Sequence, residues 1–150
     1  MRKLTQKILN EEKGSEYILE IPNLSFIPNA DLETPEGKTN AWNELLRLLN
    51  GKPFIFNGDL NLYDTDITSL GNLQSVNGYL NLYYTDITSL GNLQSVNGGL
   101  VLYGCANLIS LGNLQSVGGS LYLGGTPISK KYSEEEIRRM VDVKGNIYLL

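Results

Sequence analysis

A twenty-residue phrase is written almost twice in this chain. Asp59 to Gly78 reads DLNLYDTDITSLGNLQSVNG and Tyr79 to Gly98 reads YLNLYYTDITSLGNLQSVNG, differing only at 59/79 and 64/84. A third copy, Gly99 to Gly119 (GLVLYGCANLISLGNLQSVGG), is one residue longer, and a fourth opens at Ser120 with SLYLGGTPIS and then diverges. Its final strand returns later, because VKGNIYLL (Val143 to Leu150) matches the VNGYLNLY that begins at Val76. Phe56-Asn57-Gly58 aligns in the same way with Val76-Asn77-Gly78. A unit this short cannot bury its own apolar side chains, so the copies must stack and share one core.

Within a unit the apolar positions follow LxLxxTxIxxLxxLxxV, at Leu60, Leu62, Ile67, Leu70, Leu73 and Val76 in the first copy. The LxL step has period two and predicts a short strand with both leucines inward. The later residues recur at threes, which predicts a coil folding back rather than a helix. Gly71, Gly91 and Gly112, with Gly58, Gly78, Gly98, Gly119 and Gly145, stand where corners need positive φ or close backbone approach.

The ends differ from the array. In residues 1–53 the pattern predicts a helix over Arg2 to Glu12 with Leu4, Ile8 and Leu9 inward, and a strand over Tyr17 to Ile21. A polar turn-rich stretch follows from Asp31 to Lys38. A helix is expected over Ala41 to Leu49, capped by Thr39 or Asn40 and stopped by Gly51 and Pro53, with Trp42, Leu45, Leu46 and Leu49 on one face. This region is expected to pack on the first rung as a cap. Between Ile128 and Val143 six residues are inserted relative to Ile67 to Val76. Ser133 followed by three glutamates reads as a capping box, predicting a helix over 133–142 with Ile137, Met140 and Val141 inward and both Arg138 and Arg139 facing water.

LxLxxTxIxxL resembles the strand segment of leucine-rich repeats, with Thr65, Thr85 and Thr126 at the usual Asn position and Cys105 like the variants that carry Cys there. The similarity covers roughly residues 54–150. It implies an α/β solenoid of short parallel strands with an N-terminal α/β cap over 1–53, an array over 54–150, and a C-terminal helix plus final strand. Such repeats mostly serve as interaction scaffolds. The short, nearly duplicated units and the ending TPISKKYSEEEIRRMVDVKGNIYL also resemble leucine-rich-repeat proteins of bacteriophages and some bacteria whose role is unknown. The family's Asn ladder satisfies backbone groups of adjacent rungs; a hydroxyl serves one such group and a thiol serves it poorly, so a less rigid ladder is expected.

Composition narrows the function. The chain has 41% apolar and 19% charged residues, which suits a single modest domain with a real core. It has no His, so His-based triads and His-ligated metals are excluded, and its single Cys cannot form an internal disulfide. Residues 53–129 contain no Lys or Arg but hold Asp59, Asp64, Asp66 and Asp86, an acidic balance that opposes nucleic-acid binding. No apolar run reaches a membrane span and no signal-like N-terminus is present, so a soluble, cytoplasmic chain is expected. No cofactor is expected. Asp66 and Asp86 are expected to accept backbone hydrogen bonds in the turn after each strand rather than act as a catalytic pair. A Ca²⁺ role for Asp64, Asp66 and Asp86 would need more oxygens from a compact loop. Cys105 is expected to be buried and inert.

If the leucines of LxL point inward, the residues between and beside them form exposed rows. These rows are Asp59, Tyr79, Gly99, Ser120 and Asn146; Asn61, Asn81, Val101, Tyr122 and Tyr148; and Tyr63, Tyr83, Tyr103, Gly124 and Leu150. Asp64, Tyr84, Gly104 and Gly125 lie just beyond. Seven of the nine tyrosines fall on this one surface. Tyrosine offers a large amphipathic contact area at small entropic cost, so the expected partner-binding residues are Tyr63, Tyr79, Tyr83, Tyr84, Tyr103, Tyr122, Asn61 and Asn81. Such residues point to a non-enzymatic protein-binding module, with a phage-encoded adaptor or inhibitor of a host protein as one form of it. Stacked tyrosines would equally serve as a ladder that stabilises the sheet. The alternative role is structural, in a particle or homo-oligomer paired through the terminal strand Asn146 to Leu150.

Overall fold

The computed structural model describes Ile8 and residues 18–150. Among these, the elements in order are β1 (Leu19–Ile21), α1 (Pro35–Leu49), β2 (Phe54–Phe56), β3 (Leu60–Asn61), β4 (Leu73–Val76), β5 (Leu80–Asn81), β6 (Ser95–Val96) and β7 (Leu100–Val101). They continue with β8 (Ser116–Val117), β9 (Leu121–Tyr122), α2 (Pro127–Lys131), α3 (Glu134–Met140), β10 (Asp142–Val143) and β11 (Ile147–Tyr148). The strands make two parallel sheets, ordered β1-β2-β4-β6-β8-β10 and β11-β9-β7-β5-β3. This is an α/β fold with few helices and no closed barrel.

Register follows the repeat. Leu60 pairs with Leu80, Leu80 with Leu100, Leu100 with Leu121 and Leu121 with Ile147, so equivalent letters of successive copies are neighbours. The return segment, expected as coil, instead makes the second sheet. Ser75, Ser95, Ser116 and Asp142 align across it, beside the buried row Val76, Val96, Val117 and Val143. Leu73 and Val76 are buried with half-buried Gln74 and Ser75 between them, and the β-branched valine suits a strand. Leu62, Leu82, Leu102 and Leu123 are fully buried with these valines in one continuous core, each Leu contributing about 2 kcal/mol on burial.

The third copy absorbs its extra residue between Cys105 and Leu108. Leu108 keeps the buried place that Ile87 holds one copy earlier, and Ile109 emerges 71% exposed. Positive φ occurs at Gly71, Gly91 and Gly112, the corners between the two sheets. Gly78, Gly98 and Gly119 matter for space instead: a Cβ at Gly119 would meet Gly99 N at 2.8 Å.

Helix α1 begins six residues before the expected start. Thr34, not Thr39 or Asn40, is the N-cap: its side chain accepts from Gly37 N, Pro35 opens the first turn, and Asn50 closes the helix in the left-handed region. Trp42, Leu45 and Leu49 are buried as expected, whereas Leu46 is only half-buried and rests against Gly71. Trp42 donates its indole Nε1–H to Ser69 O at 3.0 Å and packs on Phe54 at 5.9 Å. The helix thereby sits on the first copy. β1 extends the second sheet through β2, as Ile21 pairs with Phe56. Of the helix expected over Arg2 to Glu12, only Ile8 is described, and it is helical and buried.

At the other end the helix expected over 133–142 is present but shorter, as α3, and a further short helix, α2, that was not expected precedes it. Pro127 starts α2 with Thr126 as N-cap, and Ser133 restarts the chain as α3 with a complete capping box to Glu136. Asp142 already belongs to β10. Ile137 and Val141 are buried but Met140 is 45% exposed. Arg138 does not simply face water: it donates from Nη1 to Val143 O at 2.9 Å and from Nη2 to Gly145 O at 3.0 Å, covering edge carbonyls of the last rung.

Candidate functional site

Inward leucines force the intervening residues of β3, β5, β7, β9 and β11 outward. Tyr63, Tyr79, Tyr83, Tyr84, Tyr103, Tyr122 and Tyr148 are all exposed, between 37% and 51%. Within this face Tyr83 and Tyr103 stack with centroids 5.5 Å apart and planes 11° from parallel. Tyr84 stands perpendicular to both, 4.3 Å from Tyr83 and 6.1 Å from Tyr103. A second stack joins Tyr122 to Tyr148 at 4.7 Å. Tyr63 carries a cation instead, since Lys38 Nζ of α1 lies 4.6 Å above its ring. Partial desolvation, then the neighbouring Tyr84, Tyr103 and Asp64, push the Tyr83 phenol up from its ordinary pKa.

The residues just beyond the strands have unusual backbone. Asp64, Tyr84, Gly104 and Gly125, equivalent positions of four copies, all have positive φ, at 59°, 52°, 76° and 73°. For a bulky side chain such as Tyr84 this is a strained conformation. The ring lies over Gly104, where a Cβ would meet its Cδ1 and Cε1 at 2.6 Å. Gly124 makes similar room for Tyr103, whose Cδ2 would sit 2.8 Å from an added Cβ. Absent side chains in the third and fourth copies are thus what lets the rings of the second and third lie down on the face.

Asn61 and Asn81 are half-buried, and each turns its Oδ1 to a backbone N–H two residues on, Tyr63 at 3.4 Å and Tyr83 at 3.1 Å. They position the tyrosine backbone. Asp59 Oδ1 accepts from Tyr79 N at 2.9 Å, so this carboxylate is engaged between copies. At Asp66 and Asp86 the expectation fails in its detail: what bonds is their own N–H, to Thr39 Oγ1 and Ile67 O, and both residues are exposed. A hollow of about 180 Å³ lies at the head of the face, between the N-terminal region and the first rung, with Lys38, Asp59 and Asn61 beside Leu24, Leu32 and Leu60.

Beneath the face, Thr65 and Thr126 donate to the carbonyls of Leu62 and Leu123 within their own copies, at 2.7 Å each. The expected weak link is the one that crosses between copies. Cys105 Sγ reaches Leu82 O at 2.9 Å and Thr85 Oγ1 at 3.4 Å. Burial, outweighing the Thr85 bonds, raises this thiol above its ordinary pKa, which keeps it protonated as a donor.

The amide ladders lie on the opposite side of the molecule. Asn92 Nδ2 donates to Asn72 Oδ1 at 3.0 Å, Asn113 to Asn92 at 3.3 Å, and Gln94 Nε2 to Gln74 Oε1 at 3.0 Å. Sequence reasoning missed them, although the identical GNLQSVNG in successive copies was a signal. The other polar face therefore satisfies itself, whereas the tyrosine face presents ring surface to solvent.

Among the described residues, no group of three or more Cys, Asp and Glu is arranged to hold a metal, and no helix is long and apolar enough to cross a membrane. Comparisons with protein-family models, curated proteins and solved structures find no match to this chain.

Proposed function

We propose that the protein is a non-enzymatic protein-binding module of the leucine-rich-repeat kind, a solenoid whose tyrosine-covered strand surface docks another protein. The observation that carries this reading is Tyr84. It is half-exposed, strained at φ 52°, and takes a position where the next two copies manage with glycine. The fold alone has no need of a bulky ring there. Strain held at an exposed aromatic fits a recognition role, where rigid amphipathic rings bind at little entropic cost.

Five strands about 4.8 Å apart, each showing about five residues, present roughly 400 Å², near half of what one partner covers in a standard interface. The hollow beside Lys38 extends the face toward α1, so a partner would straddle both. A cytoplasmic adaptor or inhibitor, phage-encoded in origin, is the form of this function we favour. The test is affinity capture with wild type and with the double variant Tyr83→Ala, Tyr84→Ala, using Asn92→Ala on the opposite side as control. The double variant should lose partners that the control keeps; if it keeps them all, the proposal is wrong.

A further inference from the structure

We propose that this face accepts a positively charged protein segment, with arginine side chains laid against Tyr84 and Tyr103 and hydrogen-bonded by the carboxylates of Asp64, Asp66 and Asp86. The inference rests on the reading of the tyrosine surface as a binding face and specifies the chemistry of what binds.

Charge gives the first reason. Over residues 53–129 the chain has four aspartates and neither Lys nor Arg. Asp59 is tied to Tyr79 N, but Asp64, Asp66 and Asp86 are exposed in and just after the turns that follow the strands. Asp64 and Tyr84 are equivalent residues of successive copies, hence neighbours across the sheet. Carboxylate and aromatic ring side by side offer a cation two kinds of attraction at one place.

The molecule supplies its own precedent at the first copy, where Lys38 lies over Tyr63 at 4.6 Å. That lysine comes from α1, not from the array. The only other such contact among the described residues is Lys131 on Tyr132, away from this face. No described Lys or Arg lies on the rings of Tyr83, Tyr84 and Tyr103, which leaves them open to a cation from a partner.

Geometry favours arginine over lysine. The perpendicular Tyr84 ring beside the Tyr83–Tyr103 stack makes a corner, and a planar guanidinium lying on one ring still points N–H groups outward to a carboxylate. Four strand spacings of about 4.8 Å make the face roughly 19 Å long, the reach of about six extended residues. An extended basic segment crossing the strands therefore fits, while phosphate-bearing ligands meet repulsion from the same carboxylates.

The probes are three synthetic peptides, repeats of Gly-Arg-Ser, Gly-Lys-Ser and Gly-Gln-Ser, titrated into the full chain by NMR. The arginine peptide should shift the ring signals of Tyr84 and Tyr103, with the lysine peptide weaker and the glutamine peptide silent. Tyr84→Ala should weaken binding about fivefold, and Asp64→Asn with Asp86→Asn about threefold with a flatter salt dependence. Equal binding of the glutamine peptide, or ring signals unmoved by the arginine peptide, would overturn the proposal. Failure here is separable from failure of the binding face itself. A captured partner lost by Tyr83→Ala, Tyr84→Ala but kept by the triple variant Asp64→Asn, Asp66→Asn, Asp86→Asn removes only the cationic chemistry; a partner kept by both variants removes the face as well.

Discussion

At the residue scale the instructive pair is Tyr84 and Gly104, because one residue's strain depends on the other's missing side chain. Tyr84→Gly would relieve an unfavourable φ worth about 1 kcal/mol and forfeit ring contacts of similar size. Its urea-unfolding stability is expected within about 1 kcal/mol of wild type, with partner capture lost. Gly104→Ala meets both a positive φ and the Tyr84 ring, and is expected to destabilise by about 1–2 kcal/mol and abolish the contacts between the Tyr84 and Tyr103 rings in NOE spectra. Aligning the copies already placed Asp64, Tyr84, Gly104 and Gly125 in one column. Its two glycines and its aspartate are residues that accept left-handed backbone readily; the letter that conceals the conformation is Tyr84, a bulky residue that rarely adopts it. Cys105 makes a second case. Its folded-state pKa is raised, so the stability it lends is complete below the ordinary thiol range and is lost as pH climbs through it, when the unfolded chain ionises first. Cys105→Thr, which restores the residue of the other copies, should cut the loss of urea stability between about pH 7.5 and pH 10.

At the element scale, caps were read correctly where a side-chain signal stood alone and wrongly where signals competed. Ser133 with Glu136 had no rival and became the capping box of α3. In DLETPEGKTN, Thr34 and Thr39 both precede plausible helix, and the polar run before Ala41 looks like loop because its first turn buries only Gly37. Pro35 decides the matter, being tolerated in a first turn and supplying a helical φ in advance. Arg138 was misread because its role depends on carbonyls of residues 143 and 145, which only the folded last rung brings within reach. Arg138→Ala is expected to cost about 1–2 kcal/mol and to speed amide exchange in β10 and β11, while Arg139→Ala, whose side chain is largely exposed, should do neither. Trp42 is the only tryptophan, so its fluorescence reports on the packing of α1 against Phe54 and Ser69. Trp42→Phe, which removes the bond to Ser69 O, should cost about 1–3 kcal/mol in urea unfolding.

At the scale of the whole molecule, the period made most of the architecture legible: which residues are buried, which are neighbours across strands, and which face outward. It did so because parallel stacking turns sequence equivalence into spatial adjacency. The return sheet was less visible, since its buried letters stand three apart, as Leu73 and Val76 do, and show no period of two. The acidic balance of the array was legible as composition, in the absence of Lys and Arg over 53–129, but the cation on Tyr63 was not, because Lys38 reaches that ring only once α1 folds against the first copy.

Near-identity of the copies at 59–78 and 79–98 also makes the molecule a ruler with removable graduations. Excising residues 79–98 would join Gly78 to Gly99 across a seam that already exists between Gly98 and Gly99 in kind, leaving each sheet one strand narrower and its ends untouched. The shortened chain would place Asp64 next to Gly104, losing the aromatic corner while keeping its scaffold, so that the length of the exposed face could be edited by whole increments without redesigning the interior.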